Sequence, residues 1–109
     1  MCIRDRDVEA LATYRRAVSL HPDRWESHFE LGFFYFNAQT RYDDAVPEFA
    51  RARELGCPPV KVRMYAHALE HSGEPAKALD VWRELLAADP GDGVARQNLQ
   101  RIEAILGSG

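Results

Sequence analysis

The sequence predicts an all-α fold, a stack of antiparallel helical hairpins containing about six helices. Three observations lead there. A pattern of alanine, an aromatic four residues on, and a proline recurs: Ala10, Tyr14 and Pro22; Ala45, Phe49 and Cys57-Pro58; Ala78, Trp82 and Pro90. Ala10 to Ala45 is 35 residues and Ala45 to Ala78 is 33, and a fixed period of this length marks a stacked array of helical repeats. Apolar residues inside the segments recur at helical spacing, as in Leu11, Tyr14 and Val18 or Leu79, Trp82, Leu85 and Leu86, and no stretch alternates with period two for the length of a strand. Pro22, Pro58, Pro59 and Pro90 fall where one helix must stop and the next begin, because proline lacks an N–H donor and restricts the residue before it.

Each helix has its own local reasons. The first is expected over 6–20, with Leu11, Tyr14 and Val18 as its apolar face. The second is expected over 24–38, with Asp23 and Glu26 at capping-box spacing. The third, over 43–55, stops at Gly56. Pro47 in its interior would cost ~3 kcal/mol, so Asp43 or Asp44 is expected to cap and keep Pro47 in the first turn, with an extra residue near Gln39-Thr40 adjusting the loop. The fourth, over 59–72, stops at Gly73. The fifth begins with Pro75 in its first turn and runs to 88. The sixth follows Asp92 as N-cap and runs to 106, with Arg96, Gln97, Gln100, Arg101 and Glu103 solvating its outer side. Gly107-Ser108-Gly109 reads as a flexible tail. Small residues at Gly32, Ala45, Ala66 and Ala78 let paired helices approach, and Tyr14, Tyr35, Phe49 and Trp82 fill the space to the next hairpin.

Composition narrows the function. A net charge of −3 and a pI near 5.8 argue against a nucleic-acid partner, which asks for a continuous basic face. No apolar run approaches the ~18 residues of a membrane span, and no signal peptide precedes the repeats. Cys2 and Cys57 are too few for a disulfide framework, so a reducing, cytoplasmic setting is favoured.

A second pattern precedes two of the units: His28-x-x-Leu31-Gly32-x-x-Tyr35, and more weakly Val62-x-x-Tyr65-Ala66-x-x-Leu69. Together with the Ala–aromatic–Pro set, these residues resemble the tetratricopeptide repeat, whose pattern is W-x-x-L-G-x-x-Y, A-x-x-x-F, then P. The middle unit departs from it at His28, where the family has Trp. The resemblance divides the chain into a half repeat (7–24), repeats over 25–58 and 59–91, and a capping helix (92–106), and implies a right-handed stack. It implies no cofactor and no catalysis, but a scaffold that holds a protein or peptide segment in a concave groove lined by the first helix of each repeat. Carried onto this chain, the groove wall is Phe29, Phe33, Phe36 and Asn37, then Arg63, His67, Glu70 and His71, then Gln97 and Arg101. Three Phe beside two Arg would suit an extended segment with apolar side chains and a carboxylate. The lysine and asparagine set with which some family members clamp a terminal carboxylate is missing. A structural spacer without a ligand is the alternative. The run over residues 1–6 looks like translated adapter sequence, and the chain opens halfway through a repeat. It therefore reads as a fragment of a larger repeat protein with a non-native leader, able to self-associate through the unpaired face of helix 6–20.

One stretch carries potential chemistry. His67-Ala68-Leu69-Glu70-His71 has the form H-x-x-E-H of one zinc peptidase group, with two histidines on one helical face and Glu70 as a base. No third ligand is evident, so the hydrolase reading is remote and these residues are expected to line a repeat helix. Phe33-Phe34-Tyr35-Phe36 reads as packing rather than a cofactor box. Arg51 and Arg53 with Glu48 and Glu54 read as a solvated face.

Overall fold

The computed structural model describes the backbone of residues 2–107 and the side chains of residues 7–107. Six helices follow in order: α1 (Cys2–Leu20), α2 (Trp25–Asn37), α3 (Tyr42–Glu54), α4 (Pro59–His71), α5 (Pro75–Ala88) and α6 (Gly93–Gly107), with no strand among the described residues. α1 thus begins at Cys2 rather than near residue 6. The side chains of the expected leader, and Ser108 and Gly109 of the expected tail, lie outside the described residues.

The stops and starts follow local chemistry. α3 and α4 both end in Schellman turns built on glycine. At Gly56 (φ 95°) the N–H groups of Gly56 and Cys57 donate to the carbonyls of Arg53 and Ala52; at Gly73 (φ 87°) those of Gly73 and Glu74 donate to Glu70 and Leu69. Asp92 caps α6, accepting the Ala95 N–H at 3.1 Å, and Pro59 and Pro75 stand at helix starts, where a missing N–H costs nothing.

Two starts differ from expectation. The N-cap of α2 is Arg24, in extended conformation and without a side-chain cap, so Asp23 lies outside the helix and no capping box forms with Glu26. The N-cap of α3 is Arg41, again without a side-chain cap. Pro47 is therefore the sixth helical residue, past the first turn. Its ring leaves the Asp43 carbonyl without the usual i+4 donor. Both residues are exposed, so water reaches the gap. The tight α2–α3 loop holds Thr40 at φ 49°, and the Arg41 N–H reaches back to the Tyr35 carbonyl at 2.8 Å.

Neighbours in sequence are neighbours in space. α2 pairs with α3 and α4 with α5, and these hairpins join through α3–α4; α1 packs on α2, α6 on α5, and α2 touches α4. The core has two clusters. One holds Leu31, Tyr35, Ala45, Phe49 and Ala68. The other holds Ala66, Leu69, Ala78, Trp82, Leu85, Ala95 and Ile102, and Val46 and Tyr65 pack against both. The expected small residues sit at the closest approaches: Ala45, Ala66 and Ala78 are completely buried, and a Cβ on Gly32 would stand 3.0 Å from the Phe49 ring. Leu11, Tyr14 and Val18, expected on an unpaired face of α1, instead pack against the first cluster; Val8 and Leu20 are the large apolar side chains of α1 left exposed among those described.

Candidate functional site

Helices α2, α4 and α6 carry the residues assigned to the groove wall, and side chains tie these helices to one another. Between α2 and α4, Lys61 Nζ lies 5.0 Å from the centroid of the Phe29 ring, and Phe36 meets His71 edge-on at 5.5 Å. Between α4 and α6, Arg63 Nη2 donates to Asp92 Oδ1 at 3.0 Å, and Arg101 grips both oxygens of Glu70.

The three phenylalanines divide by role. Phe36 is half-buried and packs against Tyr42, Phe49 and His71, so it is core. Phe29 is half-buried, 5.4 Å from Phe49 on one side and nearly parallel to Phe33 at 6.0 Å on the other. Phe33 remains 41% exposed, the one aromatic among the large apolar side chains left open in the described residues. Phe29 and Phe33 open into a pocket of about 230 Å³ between α1 and α2, whose other walls are Tyr14, Glu30, Phe34, Asn37 and Ala38. Tyr14 and Phe34 close it with rings 5.4 Å apart.

The arginines are placed elsewhere. Neither Arg63 nor Arg101 lines the aromatic pocket, and each already holds a carboxylate of its own chain. The Glu70 carboxyl is held below its ordinary range first by its hydrogen bonds from Arg101, and Arg101 is raised in turn. Asp92 is lowered first by the Ala95 N–H that it caps and then by Arg63. Gln97 is exposed on α6 without a described partner.

The H-x-x-E-H stretch is occupied by packing. His67 is half-buried with its ring edge-on to Trp82 at 5.2 Å, and burial pushes its imidazole below the ordinary value. His71 stacks on Tyr42 at 4.7 Å, and Glu70 belongs to Arg101. Among the described residues no group of three or more His, Cys, Asp or Glu stands close enough to hold a metal ion.

Sequence reasoning missed two arrangements. His28, which stands where the repeat pattern has Trp, is buried between two partners, with Nε2 at 2.8 Å from the Pro22 carbonyl and Nδ1 at 3.0 Å from Glu48. Glu48 is thus drawn out of the charge set once read as solvated, while Arg53 crosses to Glu84 on α5. Tyr14, Glu30 and Phe34 were also missed as pocket walls. Glu30 and Phe34 lie one turn from residues that were singled out, a helical-neighbour signal; the contribution of Tyr14 depends on how α1 docks.

A ladder of antiparallel hairpins with hairpin-to-hairpin packing defines a helical repeat module. The tetratricopeptide repeat family model matches residues 59–102, which span α4, α5 and most of α6. Over that segment the chain is similar to the tetratricopeptide repeat, a fold that generally serves as a scaffold for protein interactions and not as a catalyst. No curated protein matches the chain significantly.

Proposed function

We propose that this chain is a binding module that holds a protein or peptide segment against the face carried by α2, α4 and α6, with Phe29 and Phe33 as the apolar anchors. The exposure of Phe33, stacked on Phe29 at the mouth of a pocket, is the observation that supports the reading. Large aromatics left open beside a cavity are the groups on which binding energy concentrates. Arg63 and Arg101 take a different part from the one their charge suggests. Paired with Asp92 and Glu70, they set the spacing of α4 and α6, and an incoming carboxylate must compete with the one already held.

A displayed random-peptide library selected against the intact chain tests this. Enriched peptides should lose at least about 30-fold in affinity with Phe33→Ala, the effect of a ~2 kcal/mol anchor. Arg51→Ala, on an exposed site paired only within α3, should change nothing. Failure to enrich any peptide, or equal sensitivity at both sites, favours a spacer without a ligand.

A further inference from the structure

The aromatic pocket between α1 and α2 has a charge that no described residue answers. Its single ionisable acid, Glu30, makes no ion pair or hydrogen bond among the described residues. One turn earlier on the same helix stands Glu26, exposed and likewise without an ion pair, and two like charges at i,i+4 repel. Four arginines of α3, α4 and α6 show the opposite pattern: Arg51, Arg53, Arg63 and Arg101 are each matched by a carboxylate, while Arg96 donates to the Pro90 carbonyl. Four of the remaining walls, Tyr14, Phe29, Phe33 and Phe34, are aromatic, and the cluster already accepts one cation, because Lys61 sits over the Phe29 ring from outside the pocket lining.

We infer that this pocket takes a basic side chain, lysine or arginine, from a partner segment that also carries an apolar residue against Phe33. This deepens the proposed binding function and rests on it. An ammonium or guanidinium group with an aliphatic stem fits such walls on three counts. The stem buries against Phe33 and Tyr14, as long basic side chains do on apolar surface. The cationic head is attracted to the ring faces. Glu30 then gains the counter-charge it lacks, and its repulsion with Glu26 is relieved. An acidic segment would meet two unpaired carboxylates and no cation in the lining.

The test selects one displayed random-peptide library in parallel against the wild-type chain and against Glu30→Lys, with circular dichroism checking that the variant is folded. Wild-type binders should be enriched in Lys or Arg beside an apolar residue, and Glu30→Lys should enrich acidic ones instead. A wild-type binder measured by fluorescence polarisation should weaken roughly 5-fold with Glu30→Gln, the scale of an exposed charge pair, and should weaken further as salt rises. Glu30→Gln carries the test alone if Glu30→Lys fails to fold. Binders without basic enrichment, or with unchanged affinity for Glu30→Gln, overturn the inference; if Phe33→Ala still abolishes their binding, the module reading survives. A library that enriches nothing, or binders indifferent to Phe33→Ala, overturns both. Sedimentation showing a dimer that dissociates with Phe33→Ala would mean that a second copy covers the pocket, which also overturns it.

Discussion

Replacing Gly32 by alanine sets two opposed effects against each other at one atom. In an unpacked helix the change would help, because alanine exceeds glycine in helix propensity by up to ~1 kcal/mol. Here the new methyl would lie 3.0 Å from both Cδ1 and Cε1 of Phe49 and 3.2 Å from the Glu48 Cβ. Carbon atoms prefer about 3.5–4.0 Å, so the ring would have to retreat by roughly half an ångström. Phe49 is 2% exposed and hemmed in by Phe29 at 5.4 Å and Phe36 at 6.4 Å, so retreat means moving the α2–α3 hairpin. Overpacking of this kind costs ~1–3 kcal/mol. The net expectation is a loss of about 1 kcal/mol, which lowers the melting temperature by about 4–8 °C in a domain near this size. Gly32→Leu should lose more. Thermal melts followed by circular dichroism, checked by urea denaturation, give the measurement. Gly93→Ala is the control: nothing lies within 4 Å of its added methyl, so it should gain about 0.4–1 kcal/mol. Pairing Gly32→Ala with Phe49→Leu should recover part of the loss. If Gly32→Ala melts above the wild type, or matches Gly93→Ala, close approach at Gly32 does not govern the hairpin.

Pro47→Ala restores a donor to the Asp43 carbonyl and removes a ring clash, so it should stabilise by about 1 kcal/mol, below the ~3 kcal/mol of a buried helix interior because water reaches this site; an unchanged urea midpoint would contradict that account. Arg101 holds the Glu70 carboxyl low, so this pair contributes above the unfolded carboxylate value near ~4.3 and is lost as pH falls through the lower folded value. Wild type should therefore exceed Glu70→Gln by at most ~1 kcal/mol at neutral pH, with Arg101 44% exposed, and the two should converge in acid. Burial lowers the His67 imidazole, so its contribution is full above the unfolded value near ~6.5 and declines as pH falls from there towards the folded value. An NMR titration should place His67 below the ordinary range, and zinc should leave the melting temperature unchanged; a zinc-induced rise that disappears in His67→Ala would restore the metal reading.

How much could be read in advance depended on how local each cause was. Gly56 and Gly73 announced the ends of α3 and α4 because the left-handed turn each supplies needs no information from elsewhere. Asp92 was readable as a cap for the same reason. Asp23 was not, since Arg24 takes the cap position in an extended conformation and moves Asp23 out of reach. Pro47 was misplaced by the assumption that one of the neighbouring aspartates would cap. In the site, Phe29 and Phe33 were named through the resemblance, which assigns the first helix of each repeat to the groove wall. The engagement of Arg63 and Arg101 could not be read in this way, because their partners, the N-cap of α6 and Glu70 on α4, lie 29 and 31 residues away. That separation is close to one repeat, and Arg53 meets Glu84 at the same 31-residue interval. Opposite charges one period apart were thus a signal present in the sequence and unused.

The two seams along the α2–α4–α6 face have different mechanical character. The α2–α4 seam is held by direct packing, with Phe36 against His71 and Lys61 over Phe29. The α4–α6 seam is clipped by two ion pairs, one at each end of α4, on partly exposed side chains. In a stack where each element rests on its neighbours, the angle at each seam adds to the curvature of the whole. Counter-ions that weaken exposed pairs will soften one hinge and leave the other stiff. Only the clips respond to ionic strength, because the buried cluster that Ala66 and Leu69 of α4 share with Ala95 and Ile102 of α6 stays in place, so the α6 end should relax with added salt without coming free.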